Sequence, residues 1–190
     1  MEDLTTRNKE PTHSKKKTFF VSTPPPKKTT KKRILVFGTF DIIHPAHLRF
    51  LYEAHKSIEK TPHELVVVLS RDSSIQRIKG HSPVFNEEQR LKVMSCLRLV
   101  DYARLGNEGK DYFQVILEVK PDVIVLGYDQ LAEPQPLLDF INKHNLSIRL
   151  LRLPKYESGD LTSSSEVREK VLEIINNSSK RGHTLPKQEK

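Results

Sequence analysis

Three short apolar runs constrain this chain more than anything else in it: Ile34-Leu35-Val36-Phe37, Leu65-Val66-Val67-Val68-Leu69 and Val123-Ile124-Val125-Leu126. Each is apolar at consecutive positions and too short for a buried helix, so both faces of a strand are expected to be covered. A sheet with one wet face would alternate apolar and polar residues instead. Weaker strands are expected at 102–105 and 147–153. Helical spacing fills the intervals. Leu48, Leu51, Tyr52 and Ala54 recur on one side of 46–57. Further helices are expected at 73–79 after an Asp72 cap, 87–97 after an Asn86 cap, 112–119, 136–144 and 164–175. Strand–helix alternation predicts an α/β fold: a single Rossmann-like, doubly wound, five-stranded parallel sheet with helices on both faces.

The formal charge of +8 is unevenly spread over the 190 residues. Residues 1–33 carry ten Lys/Arg against three Asp/Glu, and 176–190 carry four against one. The stretch 34–175 is slightly acidic, with eighteen basic and twenty acidic residues. The basic character therefore belongs to the ends. Residues 1–32 read as a disordered arm, 33–175 as the folded domain and 176–190 as a flexible tail. A single cysteine, Cys96, excludes an intramolecular disulfide and suits a reducing compartment. It reads as a small core residue on its helix. No signal peptide or membrane-spanning run is visible, so a soluble, cytoplasmic protein without a membrane partner is expected.

Parallel sheets bind ligands beyond the carboxyl ends of their strands. After the first run come Gly38, Thr39, Phe40 and Asp41, then His44, Pro45 and His47. Gly38 can let the backbone pass close to a ligand. Pro45 suits the first helical turn, where its missing N–H has no partner to lose. His44 and His47 then sit together at a helix start, beside free backbone N–H groups and the positive end of the dipole. That is a donor-rich pocket for a polyphosphate. Phosphoryl and nucleotidyl transfer need charge stabilisation and in-line positioning more than covalent chemistry. The same two histidines could equally be caps or surface residues. A metal reading lacks a third ligand, and no Walker loop is present.

The segment Gly38-Thr39-Phe40-Asp41-Ile42-Ile43-His44-Pro45-Ala46-His47 resembles the cytidylyltransferase branch of the HxGH nucleotidyltransferase superfamily. Further motifs follow in family order over residues 33–175: Arg71-Asp72, Lys79-Gly80, the block 86–91, the block 120–130 and the block 161–168. Ala103-Arg104-Leu105-Gly106 and Leu126-Gly127-Tyr128-Asp129-Gln130 are most similar to the archaeal FAD-synthase family. The resemblance implies transfer of AMP from ATP to FMN, giving FAD and pyrophosphate, with a divalent metal such as Mg²⁺ bridging the phosphates. It implies that His44 and His47 hold the triphosphate while Thr39 and Phe40 lend backbone N–H groups. Asp41 would orient the attacking phosphate's surroundings or a metal-bound water. Lys79 would bring a mobile charge, and Arg90 would neutralise the acceptor phosphate. Gly127 and Asp129 would lie beside ribose and base. Thr162, Ser163 and Ser164 would close on the β- and γ-phosphates, with Arg168 one turn later. It also implies a homodimer. From the residues alone, Arg90 would be a surface ion-pair partner of Glu87 or Glu88, and the serines simple helix caps.

Two departures stand out. Ala46 occupies the position where the family has Gly. Residues 156–161 replace a Cys- and His-containing stretch, which moves the last motif towards relatives acting on glycerol phosphate or ethanolamine phosphate. A CTP-using cytidylyltransferase making a CDP-alcohol is therefore the alternative. A non-catalytic nucleotide or nucleic-acid binder using the basic ends is a third reading. Its affinity would be salt-sensitive and lost with residues 1–32.

Overall fold

The computed structural model describes residues 30–58, 60–109, 112–130, 133–155 and 162–180. Most of the expected N-terminal arm, the end of the expected tail and the stretch 156–161 lie outside them. The elements run in order: β1 (Lys32–Gly38), α1 (Pro45–Lys56), β2 (His63–Leu69), α2 (Asp72–Lys79), α3 (Glu87–Ser95), β3 (Tyr102–Leu105), α4 (Gln114–Val119), β4 (Val123–Leu126), α5 (Gln135–Lys143), β5 (Arg149–Arg152) and α6 (Ser164–Lys180). All five strands are parallel, in the order β3-β2-β1-β4-β5. The expected doubly wound sheet is what forms.

The consecutive apolar residues divide between two cores, as strand geometry demands. Ile34 and Val36, Leu65, Val67 and Leu69, and Val123 and Val125 face Leu51 and Ala54 of α1 and Leu91 and Met94 of α3. Leu35, Val66 and Val68, and Ile124 and Leu126 face Val115, Ile116 and Val119 of α4 and Leu137 and Ile141 of α5. Full burial of each such side chain contributes about 1.5–3 kcal/mol, so β1, β2 and β4 anchor the fold. Chain order reverses between β1 and β4. A crevice is therefore placed beyond the carboxyl end of β1.

Three local expectations are corrected. α3 stops at Ser95, and Cys96 is its exposed C-cap; Leu91 and Met94 already fill the core on that helix. α6 continues past 175 to Lys180, with Ser178 and Ser179 hydroxyls donating to the Ile174 and Ile175 carbonyls. Asp72 is the first residue of α2 rather than its cap, and its side chain serves α3 instead.

Candidate active site

The loop leaving β1 is strained and tightly held. Phe40 and Ile42 adopt left-handed backbone conformations (φ 51° and 48°), at about 1–2 kcal/mol each for non-glycine residues. The Phe40 ring folds back beneath Gly38, where an added Cβ would lie only 2.4 Å from it. Gly38 is thus required by Phe40 rather than by close approach of a ligand. The ring continues to His47 (centroids 5.2 Å apart) and Phe50.

His44 is the N-cap of α1, with its carbonyl accepting from His47 and Leu48 N–H groups. Pro45 and Ala46 begin the helix, so the alanine leaves both histidines at its start. The two imidazoles stack, with centroids 3.8 Å apart and planes at 28°. Both Nδ1 atoms are buried without a hydrogen-bond partner. With no acceptor there, each neutral ring is assigned its proton on Nε2. Burial pushes the His47 pKa down to about 3, helped by His44 and Lys79 and opposed by Asp41. Burial also lowers that of His44, against the pull of Glu166. These are neutral hydrogen-bond donors. Lys79 is exposed in the last turn of α2, within electrostatic reach of His47.

Two expected site residues hold the loops rather than face a substrate. Asp41 is buried, and its carboxylate accepts from the Val84 and Phe85 N–H groups at 2.9 and 3.0 Å. It holds the loop before α3, and its charge also acts on His47. Arg90 is also buried, which corrects the expectation of an acceptor-phosphate cation. Its guanidinium donates to the carbonyls of Phe85, Thr39 and Ser70 at 3.0, 2.7 and 2.8 Å, and to the Asp72 carboxylate at 2.6 Å. It clamps the ends of β1 and β2 together. The surface pairing with Glu87 or Glu88 is not formed either; Glu87 instead exchanges caps with Asp72. Each carboxylate accepts the other's backbone N–H, at 2.8 and 3.0 Å.

Arg71 is the functional candidate that sequence reasoning left without a role. It donates to the Gly106 carbonyl and to Glu87, and lines a cleft of about 590 Å³ with Asp72, Asn86, Glu88 and Glu108. Its position directly after β2 was the available signal.

At the far side of β1, Gly127 opens the turn after β4, and its N–H donates to Gln130 Oε1. Asp129 is exposed in the same turn. Thr162, Ser163 and Ser164 gather at the start of α6. Glu166 accepts from Thr162 and donates its N–H to the Ser163 hydroxyl, so the capping reading is realised here. The Ser164 hydroxyl donates to the Asp41 carbonyl, and Arg168 lies 3.7 Å from the Asp41 carboxylate. The first turn of α6 is thereby latched to the β1 loop.

A switch-point crevice, a strained loop and two neutral histidines at a helix start come together at the carboxyl edge of this parallel α/β sheet. The cytidylyltransferase-like family matches residues 35–170, and the chain belongs to it. It is 44% identical to an FAD synthase of Thermoplasma volcanium over 143 residues, covering 75% of this chain and 96% of that one. An FAD synthase of Archaeoglobus profundus is 38% identical over 143 residues, covering 75% and 88%. Among solved structures, a lipopolysaccharide core biosynthesis protein from Thermoplasma volcanium GSS1 superposes with a TM-score of 0.60 at 42% identity, over 66% of this chain and 98% of that one.

Proposed function

We propose that this chain is a nucleotidyltransferase that moves AMP from ATP to FMN, releasing pyrophosphate and forming FAD. The observation that carries the reading is the stacked His44–His47 pair at the start of α1, both rings kept neutral by burial. Similarity to FAD synthases over nearly their whole length supports the choice of ATP and FMN.

An FMN phosphate oxygen attacks the α-phosphorus, and the bond to the bridging oxygen of the leaving pyrophosphate breaks. Negative charge builds on the α- and β-phosphate oxygens. The histidine Nε2–H groups and α1's free N–H groups stabilise it without themselves changing protonation state. Lys79 adds a charge from the exposed last turn of α2. Thr39 and Phe40 offer backbone N–H groups; Asp129 and Gly127 flank the ribose; Thr162, Ser163 and Ser164 release their caps to meet the outer phosphates. Arg71 lines the cleft beyond β2 and β3, where its guanidinium is paired with Glu87 and Glu108. A divalent metal such as Mg²⁺ would supply charge neutralisation on the triphosphate; among the described residues no three His, Cys, Asp or Glu side chains form a metal cluster.

The protein is proposed to act in the cytoplasm on small molecules; among the described residues no helix is long and apolar enough to cross a membrane. A homodimer is part of the proposal, supported by the exposed Val171, Leu172, Ile174 and Ile175 on α6. Sedimentation should give twice 22.0 kDa. Incubation of each nucleoside triphosphate with each acceptor tests the reaction. ATP with FMN should release pyrophosphate. Release from CTP and glycerol phosphate, with none from ATP and FMN, would overturn it.

A further inference from the structure

The turn after β4 is fixed from both sides. Arg152 Nη1 donates to the carbonyls of Gly127, Tyr128 and Gln130 at 3.1, 3.2 and 2.6 Å. Gln130 accepts the Gly127 N–H at 2.9 Å and donates to the Phe37 carbonyl of β1 at 2.8 Å. A turn held at so many points keeps its shape when a ligand arrives. On this shelf the Tyr128 ring stands 51% exposed, with Lys155 Nζ 5.7 Å from its centroid. A large ring held in water at the ligand-binding edge of the sheet adds little to the core. Nor is it remote from the histidines. β4 pairs directly with β1, and Gln130 ties the turn to Phe37 at the end of the strand that leads into the histidine loop.

We propose that Tyr128 is the base-stacking, specificity-determining residue, its ring receiving the purine of ATP with Lys155 beside it. Aromatic rings stack on any base, and a purine offers two fused rings where a pyrimidine offers one. The shelf would thereby favour ATP over CTP without reading a hydrogen-bond pattern. This inference rests on the adenylyl-transfer reading above.

Calorimetric binding of ATP and of CTP, without FMN, to the wild type, Tyr128→Ala and Tyr128→Phe tests it. Tyr128→Ala should weaken ATP about tenfold and CTP less, while Tyr128→Phe stays within about twofold of wild type. The proposal is overturned if Tyr128→Ala binds ATP as the wild type does. It is equally overturned if Ala and Phe weaken ATP alike, or if ATP and CTP weaken by one factor. FAD formation is assayed separately. Tyr128-dependent ATP binding without FAD formation sustains the shelf and fails the acceptor reading. FAD formation with Tyr128-independent binding does the reverse.

Discussion

The two edges of the same sheet both pair their charges but differ in what else they hold. At the amino ends of the strands, charges are answered. Buried Arg33 meets buried Glu64 at 3.2 Å and donates to the Val119 carbonyl at 2.8 Å. Asp122 accepts from Lys32 and from the Arg33 N–H, and Asp101 accepts from the Leu65 N–H. At the carboxyl ends, His44 and His47 bury unpartnered Nδ1 atoms, Phe40 and Ile42 hold strained backbone, and Tyr128 stands in water. Among the described residues the other buried side-chain atom without a partner is Ser57 Oγ, at the C-cap of α1. Unsatisfied groups and strain persist only where something else requires them. The amino edge is committed to stability, whereas the carboxyl edge sets strained backbone and an exposed aromatic ring beside its own paired charges at Arg90, Asp72 and Asp41.

Substitutions at each edge can break that contrast. Glu64→Ala should cost about 3–5 kcal/mol in urea unfolding, because it strands the buried Arg33 charge, while turnover per folded molecule stays unchanged. A large loss of turnover in the folded fraction would dissolve the division. His47→Ala should lower kcat about 10²–10³-fold, as loss of one preorganised donor does, while moving the urea midpoint less than Glu64→Ala. Arg90→Lys crosses the two categories. Lysine cannot reproduce the fork to Thr39, Ser70 and Asp72, so stability should fall by about 2 kcal/mol and the KM for ATP should rise as the β1 loop loosens. If only stability changed, Arg90 would belong wholly to the structural side.

Burial of His47 also predicts acid sensitivity. The ordinary histidine pKa is 6.5, and in the folded protein that of His47 is about 3. Below pH 6.5 the unfolded chain binds a proton that the folded His47 refuses. Stability contributed by this group is therefore complete above that value and declines as pH falls towards 3. His47→Asn should flatten thermal-unfolding profiles across this interval. An unchanged slope would show that the ring titrates normally.

What was legible in the sequence followed period and position. Continuous apolar runs gave the parallel sheet, and Asn86 gave the α3 cap, which Gln89 completes as a capping box in the structure. His44 and His47 are near in sequence, so helical spacing alone brought them together. Arg90 and Asp41 were misjudged because their partners lie far along the chain. Arg90 reaches Thr39, and Asp41 reaches Val84 and Phe85. Residue type announced a charge at the right edge of the sheet but not which way it points. At Gly38 the sequence did not show that the Phe40 ring fills the space of the missing Cβ, a fact of side-chain packing. Cys96 was placed in the core because its helix was drawn two residues too long.

The central claim is that the carboxyl edge transfers a nucleotidyl group rather than a phosphoryl group, and that the histidine pair does the work. ATP labelled at its α-phosphorus tests this directly when incubated with FMN and either wild-type protein or His47→Ala. The label should appear in FAD, with unlabelled pyrophosphate released, and should vanish nearly completely in the variant. Label retained in ATP or ADP with the wild type, or transfer undiminished by His47→Ala, would contradict the account.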